Sequence, residues 1–320
     1  MEPNNLVTIF GGSGFVGTQV VQLLARAGFR IRVAVRRPDL AGHVKPLGNV
    51  GQVMPIQANI RNLASVQRAV QGAGTVINLV GIGHEGGRQR FRTVHVAGAR
   101  NVAEAARLAG ATTLVHMSAL GADPESHSAY ARSKALGEQE VLAAFRNAVI
   151  IRPSIIFGQG DTFFNKQGSI ARFLPVLPVI GAKAKAQPIY VGDVAEAFLG
   201  AVQGKVKPGR AYELGGPEIE TQLQLMQRVL AETQRHNLLV PVPAGIGRLL
   251  AAPFALLPGK PLATLDQVEL LQIDNVVSEA ARKEKRTLAA FGVQPTAMDA
   301  ILDSYLWRFM KNGQFDRQTA

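Results

Sequence analysis

Through its first half the chain alternates short apolar runs with amphipathic segments. The apolar runs lie at 7–10, 31–35, 54–59, 75–81, 113–118 and 148–152. The segments between them carry apolar residues every three or four positions, as Val16, Val20 and Leu24 do, and this is the spacing of one helix face. Strands that alternate with helices are typical of a parallel sheet covered by helices. We therefore predict an α/β fold built on a Rossmann-type doubly wound parallel sheet.

A glycine-rich loop follows the first predicted strand and opens the first predicted helix. Gly11 would let the chain turn off the strand, Gly14 would leave room for a pyrophosphate, and Gly17 would let the helix pack close to the sheet. The helix N-terminus would offer N–H groups and a positive dipole end to the phosphates. This order of strand, glycines and helix predicts a dinucleotide site. The predicted cofactor contacts in the loop are Gly11, Gly12, Ser13, Gly14, Phe15, Val16 and Gly17.

The end of the second predicted strand indicates which dinucleotide is bound. NAD-preferring sites have an acidic residue there for the ribose 2′-hydroxyl, whereas this chain has Arg36 and Arg37 and no carboxylate before Asp39. Because a guanidinium presents a fixed fork of donors to phosphate oxygens, we predict NADPH in preference to NAD(H). The alternative is that both arginines are simply solvated. Further cofactor contacts are predicted where the third and fourth strands end, at Asn59, Ile60, Val80 and Gly81.

The hydrophobic pattern loosens after Pro153. Prolines interrupt shorter apolar pieces at 175, 178, 188, 208 and 217. We predict an NAD(P)-binding Rossmann domain over 1–155 and a smaller, mixed substrate or interaction lobe over 156–320. Within the second part, residues 186–204 combine a predicted strand at 188–191 with a predicted helix at 193–203, and we expect them to return to the main sheet.

A tyrosine and a lysine stand four residues apart at the start of a predicted helix. Tyr130 and Lys134 would share one helix face, so that the ammonium could stabilise a phenolate and lower the pKa of the tyrosine. Ser118 ends the preceding strand on the side of the sheet where the cofactor is expected. A phenol activated in this way is a usable acid or base for hydride chemistry. Ser118, Tyr130 and Lys134 are therefore the candidate catalytic residues.

In these features the chain resembles the extended short-chain dehydrogenases/reductases. The resemblance rests on the three glycines of the loop, on the candidate catalytic residues, and on the segments 152–158, 190–195 and 212–217. It implies that Tyr130, Lys134 and Pro153 also contact the cofactor. Active members of this family usually have asparagine where this chain has His95, and the histidine weakens the case for turnover. We expect His95 to be a helix residue that packs beneath a loop.

A narrower resemblance is to the NADPH-binding accessory subunits of respiratory complex I, the NADH:ubiquinone oxidoreductase. It rests on the segments 33–38, 87–91, 94–103, 134–138 and 187–191. It implies a structural subunit that holds NADPH tightly, has complex I subunits as partners and lies against the membrane near the quinone site. Two alternatives stay open. One is an active NADP-dependent oxidoreductase or epimerase that uses Tyr130 and Lys134 on a quinone-like, lipid-like or sugar-nucleotide substrate. The other is a redox sensor.

Composition and charge narrow the classes of partner. The chain has no cysteine, which excludes disulfides and thiolate ligands, and we expect no metal cofactor. Its formal net charge of +12 favours anionic partners. No basic run carries interleaved aromatic residues, so we do not expect nucleic acid as a partner. The segment 1–5 is too short and polar for a signal peptide.

The most apolar stretch, 238–258, bears on localisation. Three prolines and Arg248 argue against a helix that spans a membrane. Residues 244–257 could instead form a helix in the headgroup plane of an anionic membrane, or a core helix of the smaller lobe, and both interpretations stay open. Together with the basic charge, this predicts a cytoplasmic chain, peripheral on the inner face of the plasma membrane, or on the matrix side in a mitochondrion.

Overall fold

The computed structural model describes residues 5–243, 245 and 264–313. Apart from Gly245, the helix expected at 244–257 lies outside the described residues. The chain divides into two compact units. Unit 1 comprises Met1–Pro153, Val191–Leu214 and Ser278–Gln294, and unit 2 comprises Ser154–Tyr190, Gly215–Val277 and Pro295–Ala320.

Thirteen strands are described. They are β1 Leu6–Phe10, β2 Arg30–Val35, β3 Val53–Gln57, β4 Thr75–Asn78, β5 Thr113–Met117, β6 Val149–Pro153, β7 Ile156–Phe157, β8 Val176–Ile180, β9 Lys185–Ala186, β10 Ile189–Tyr190, β11 Arg210–Leu214, β12 Glu220–Thr221 and β13 Leu238–Val242.

The described α-helices alternate with these strands. They are α1 Phe15–Arg26, α2 Leu63–Val70, α3 Ala97–Leu108, α4 Ala129–Ala144, α5 Phe163–Ala171, α6 Val191–Val202, α7 Gln222–Glu232, α8 Leu265–Leu270, α9 Glu279–Lys283 and α10 Asp299–Leu306. Short 3-10 segments lie at Pro38–Leu47, Leu288–Phe291 and Trp307–Phe309, and a π-helical turn at Arg92–Val96 leads into α3.

The core of unit 1 is a seven-stranded parallel sheet in the order β11-β6-β5-β4-β1-β2-β3. β1 lies inside the sheet, where Val7 pairs with Ile31 of β2 on one side and with Thr75 of β4 on the other. The central strands are largely apolar and buried because helices cover both faces of the sheet, and Val7 and Ile9 have no exposed surface. The predicted Rossmann-type doubly wound parallel sheet is confirmed.

Local caps explain where two helices of unit 1 begin. The side chain of Asn62 accepts a hydrogen bond from the Ser65 N–H at the start of α2, and Ser128 does the same for the Ala131 N–H at the start of α4. α1 differs, because Gly14 stands at its N-cap and supplies no side-chain cap. The first N–H groups of α1 are therefore open to an acceptor other than a capping side chain, such as water or a phosphate.

The segment expected to return to the sheet divides between the two units. The predicted strand at 188–191 is the short β10, which pairs with β7 in unit 2 and not with the seven-stranded sheet. The helix that follows, α6, belongs to unit 1. The strand that joins the main sheet is β11, which pairs with β6 along its whole length. Charged Arg210 and Glu213 interrupt its apolar residues, so the hydrophobic pattern alone did not reveal it.

Unit 2 is built from short strand pairs and helices. β8 pairs with β13 and β9 pairs with β12. Its larger core joins α5, α7 and α10 around Phe157, Phe164 and Leu302, all fully buried. No helix among the described residues is long and apolar enough to cross a membrane.

Candidate nucleotide-binding and catalytic site

A cavity of about 830 Å³ opens at the carboxyl ends of the central strands of unit 1. This volume falls within the range of sites for cofactor-sized ligands, and the place is the one where doubly wound sheets bind them. Nine residues predicted as cofactor contacts line it: Gly11, Ser13, Gly14, Arg36, Arg37, Asn59, Ile60, Val80 and Gly81. The other predicted contacts, Gly12, Phe15, Val16, Gly17, Tyr130, Lys134 and Pro153, are not among its lining residues.

The three glycines of the loop have different surroundings. Gly11 has φ +82°, a left-handed conformation that favours glycine. A Cβ on Gly17 would lie 2.3 Å from the carbonyl oxygen of Gly11, so only glycine lets α1 pack this closely. A Cβ on Gly14 would meet nothing nearer than that same oxygen at 3.4 Å, an ordinary contact. Within the protein, Gly14 is therefore not required, and its open side faces the cavity.

Two arginines line the cavity where β2 ends. Arg37 is paired with Asp39, with 2.7 Å between Nη2 and Oδ2, and both side chains are largely exposed. Such an exposed pair contributes little to stability because solvent screens it, so a stronger anionic ligand could displace Asp39. Arg36 has no ion-pair partner among the residues that the structure describes. The predicted placement of both guanidiniums beside one cavity is therefore compatible with a phosphate ligand.

Sequence reasoning missed a third guanidinium in the cavity wall. Arg61 follows β3, lines the cavity, and donates from Nη1 to the carbonyl of Arg88 at 2.9 Å. It thereby fastens the glycine-rich loop after β4, whose residue Gln89 also lines the cavity. Arg61 could have been predicted from its position, because it lies two residues beyond the predicted contact Asn59, at the same strand end.

Ser118 and Lys134 are both buried at the end of β5. Lys134 Nζ donates to the carbonyl of Met117 at 2.8 Å, and burial lowers the pKa of this lysine to about 8 even though Glu138 acts against the shift. Ser118 is 3% exposed, and its Oγ has no hydrogen-bond partner among the described residues. An unsatisfied buried hydroxyl is costly, so Ser118 is set up to bond a ligand atom.

Tyr130 stands in an aromatic cluster. Its ring packs edge-on against Phe91 and His95 with centroid distances of 5.9 and 5.5 Å, and the rings of Phe91 and His95 are stacked at 5.3 Å. The cluster fixes the ring of Tyr130 on the face of α4 that also carries Lys134. The structure thus brings the candidate catalytic residues to adjoining parts of α4 and the end of β5.

Two histidines near Lys134 are buried and neutral. Burial, and then the charge of Lys134, lowers the pKa of His95 to about 3. The same causes hold the pKa of His116 well below its ordinary value, with a contribution from His95. His116 Nδ1 lies 3.2 Å from Asn78 Nδ2 and accepts from it. Both imidazoles therefore act as hydrogen-bonding groups and not as acids at neutral pH.

The family comparison agrees with this geometry. The NAD dependent epimerase/dehydratase family matches residues 7–215, which include the glycine loop, the arginines and the candidate catalytic set. The chain belongs to this family. Epimerase/dehydratase family members are extended short-chain dehydrogenases/reductases, so the predicted resemblance is confirmed.

Relatives within the epimerase/dehydratase family carry different names. NADH dehydrogenase (ubiquinone) 1 alpha subcomplex subunit 9, mitochondrial, from Mus musculus is 34% identical over 297 residues, covering 92% of this chain and 78% of the mouse protein. Ceramide reductase from Caulobacter vibrioides is 36% identical over 194 residues, covering 61% of this chain and 60% of that protein. The predicted resemblance to complex I accessory subunits is thus confirmed as a similarity of sequence.

Solved structures of the epimerase/dehydratase type share the fold. The UDP-glucose 4-epimerase of Thermus thermophilus, in a complex with NAD, superimposes with a TM-score of 0.65 at 20% identity, over 95% of this chain and 98% of that one. No group of side chains among the described residues could hold a metal ion. Cofactor binding and proton transfer by named residues stay predictions.

Proposed function

We propose that this chain holds NADPH in the cavity of unit 1 and serves as an accessory subunit that stabilises NADH:ubiquinone oxidoreductase. The observation that carries the proposal is the similarity to the mouse subunit, which extends over 92% of the chain and so includes both units. The relative's name links it to that assembly. We further propose that the chain is peripheral to the membrane, on the side where its basic surface meets anionic lipid or complex I subunits.

The residues of unit 1 fit a dinucleotide. The N-terminus of α1 has no side-chain cap, Gly14 leaves open space beside it, and Ser118 Oγ is buried without a partner among the described residues. Phosphates would accept from the N–H groups at the start of α1, and Ser118 and Lys134 would bond the other half of the ligand. A bound NADPH would supply a hydride. The protein's own residues would bind it, orient it and hold a proton on Tyr130.

Preference for NADPH over NADH is supported by charge. Arg36, Arg37 and Arg61 line one part of the cavity, and no carboxylate of the described residues lines it. A 2′-phosphate placed there would receive charge-assisted hydrogen bonds, which are stronger than neutral ones. The 2′-hydroxyl of NADH offers no charge to these arginines.

Replacing both strand-end arginines should remove this preference. In the Arg36→Ala/Arg37→Ala protein, the Kd for NADPH should rise roughly 10–100-fold, because the charge-assisted hydrogen bonds from both guanidiniums to the 2′-phosphate are lost. The Kd for NADH should change little. Calorimetric titration of both nucleotides measures this, with Arg107→Ala, an exposed arginine that does not line the cavity, as the control. Equal affinities for both nucleotides in the unmodified protein would contradict the proposal.

The accessory role is tested by complementing a strain that lacks this gene. Tyr130→Phe removes only the phenolic oxygen, so it should restore assembly of complex I and NADH:quinone activity in membranes. Gly14→Ala should not restore them, because the cavity would then hold no nucleotide. Native gels show assembly, and mass spectrometry identifies the bound nucleotide and the subunits that co-purify. Loss of assembly with Tyr130→Phe, at normal protein and NADPH levels, would show that acid/base catalysis is required.

A second candidate is an NADP-dependent reductase or epimerase. It is favoured by the presence of the candidate catalytic residues Ser118, Tyr130 and Lys134, and by the lowered pKa of Lys134. It is also favoured by 36% identity to ceramide reductase over 194 residues. Its substrate would be lipid-like, quinone-like or a sugar nucleotide. Under this function Tyr130→Phe abolishes turnover of NADPH by membrane extracts, whereas under the accessory role no such turnover depends on Tyr130.

A further inference from the structure

The N–H of Leu79, the first residue after β4, still donates to the carbonyl of Phe10 in β1 at 2.9 Å, and beyond Leu79 side chains hold the cavity wall. β4 ends at Asn78, yet the next residues continue along the cavity. The N–H of Val80 donates to Asn78 Oδ1 at 3.1 Å, and the N–H of Ile82 donates to His95 Nε2 at 3.0 Å. Asn78 is only two residues from Val80, whereas His95 lies in the π-helical turn, thirteen residues after Ile82. His95 is therefore a side-chain support of this wall that comes from a distant part of the chain.

The second ring nitrogen of His95 extends the connection to the next helix. Nε2 accepts from Ile82, so the proton of the neutral ring is on Nδ1, which donates to Ser133 Oγ at 2.8 Å. Ser133 Oγ in turn donates to the carbonyl of Tyr130 at 2.7 Å. One imidazole thus joins the cavity wall at Ile82 to α4, the helix that carries Tyr130 and Lys134.

The surroundings of His95 leave its ring one position. The ring lies between Phe91, stacked at 5.3 Å, and Tyr130, edge-on at 5.5 Å. α4 packs so closely against the π-helical turn that a Cβ on Gly137 would lie 2.2 Å from the carbonyl oxygen of His95. π-helical turns are rare and are frequent at functional sites. Here the turn places His95 where both of its nitrogens are used.

We propose that His95 is a positioning residue that ties the wall at Gly81–Ile82 to the helix of Tyr130 and Lys134, and so keeps this end of the cavity formed before NADPH arrives. This inference rests on the proposed binding of NADPH in unit 1. A wall that is already ordered lowers the entropic cost of binding. Gly81 of this wall adjoins both side chains, since a Cβ on it would lie at ordinary contact distance, 3.7 Å from His95 Nε2 and 3.9 Å from Lys134 Nζ.

The proposal explains why histidine and not a shorter amide is needed. An asparagine at 95 would place its amide where Nδ1 lies, so it could still donate to Ser133 but would not reach Ile82. A glutamine is longer, and its amide oxygen could take the place of Nε2 as the acceptor for the Ile82 N–H. Comparing asparagine with glutamine at position 95 therefore distinguishes the effect of the hydrogen bond to Ile82 from the effect of filling the space of the imidazole.

The test compares His95→Gln with His95→Asn in the full chain. Hydrogen exchange of the Ile82 amide is measured without nucleotide, and the Kd for NADPH by calorimetry. In His95→Gln, the Ile82 amide should stay protected, because the glutamine oxygen can still accept its hydrogen bond. The Kd for NADPH should remain within about threefold of that of the original protein, a difference of under 1 kcal/mol. In His95→Asn, exchange at Ile82 should be faster and the Kd higher, each by about tenfold.

A second variant keeps the imidazole in place. Ser133→Ala removes the acceptor for Nδ1–H, so the ¹⁵N shifts of the His95 ring should show a changed tautomer balance, and protection of Ile82 should fall. Equal effects of the Gln and Asn variants, or an unchanged Ile82 amide in both His95→Asn and Ser133→Ala, would overturn the proposal. Failure of the original protein to bind NADPH would overturn the proposed function instead, while the Ile82 contrast would still test the support of the wall.

Discussion

Gly14→Ala should abolish nucleotide binding and leave the fold of unit 1 intact. The backbone of Gly14 has φ −86°, which any residue adopts, and a Cβ would meet only one protein atom, at 3.4 Å. The added methyl group projects towards the cavity, where a pyrophosphate would have to approach the backbone. We expect the Kd for NADPH to rise at least about 100-fold, or about 3 kcal/mol. Calorimetry measures the affinity, and thermal melting without nucleotide measures the stability.

The matched control is Gly17→Ala, which adds the same methyl group one helical turn later. Its Cβ would lie 2.3 Å from the Gly11 carbonyl oxygen and 2.6 Å from the Cα of Gly12, so the backbone would have to move. Overpacking of this kind costs about 1–3 kcal/mol or more, and the melting temperature should fall even without nucleotide. Retention of tight NADPH binding by Gly14→Ala would show that the cavity does not hold the pyrophosphate at this loop.

Arg152→Met should destabilise unit 1 far more than the loss of an exposed ion pair does. Arg152 Nε and Nη2 donate to both oxygens of Glu138 at 2.9 and 2.6 Å, and its Nη1 lies 3.7 Å from Glu213. Glu138 is 5% exposed and Glu213 is 8% exposed. Removing the guanidinium would leave two buried carboxylates without their cation, which costs about 3–5 kcal/mol. Urea unfolding followed by circular dichroism measures the loss.

The contrast is an exposed pair on α3. Arg100 Nε lies 2.7 Å from Glu104, but the arginine side chain is 56% exposed. Arg100→Met should therefore change the free energy of unfolding far less than Arg152→Met does, because solvent screens this pair. If Arg152→Met were as mild as Arg100→Met, the network that joins α4, β6 and β11 would not be a source of stability.

The arrangement around Tyr130 favours holding a nucleotide over passing protons to solvent. His95 and His116 are buried and neutral, and both nitrogens of His95 are already hydrogen-bonded within the protein. The ring of His95 is therefore occupied within the protein. Lys134, with a pKa near 8, is charged at neutral pH and can bond a ligand hydroxyl without any reaction. These features are consistent with the accessory role that we propose.

Hydrophobic patterning and local sequence determined the sheet and the loop at its centre. β1, β2 and β4 each carry buried Val and Ile residues because both faces of the sheet are covered, and this leaves a direct trace in the sequence. The glycine loop is equally local, since the left-handed turn at Gly11 and the close packing at Gly17 depend on neighbours within a few residues. The same holds for Tyr130 and Lys134, which are placed on one face by the helix repeat alone.

Only the tertiary structure decided the features that depend on residues far apart in the chain. Arg210 and Glu213 interrupt the apolar residues of β11, so the pattern did not reveal it, and it joins the sheet because β6 offers it a hydrogen-bonding edge. Arg61 enters the cavity wall because it reaches a carbonyl 27 residues away. His95 was expected to pack beneath a loop, yet its position in the fold gives it two partners, Ile82 and Ser133. Sequence periodicity records which face a residue lies on, whereas the atoms that its polar group meets are set by the packing of distant segments.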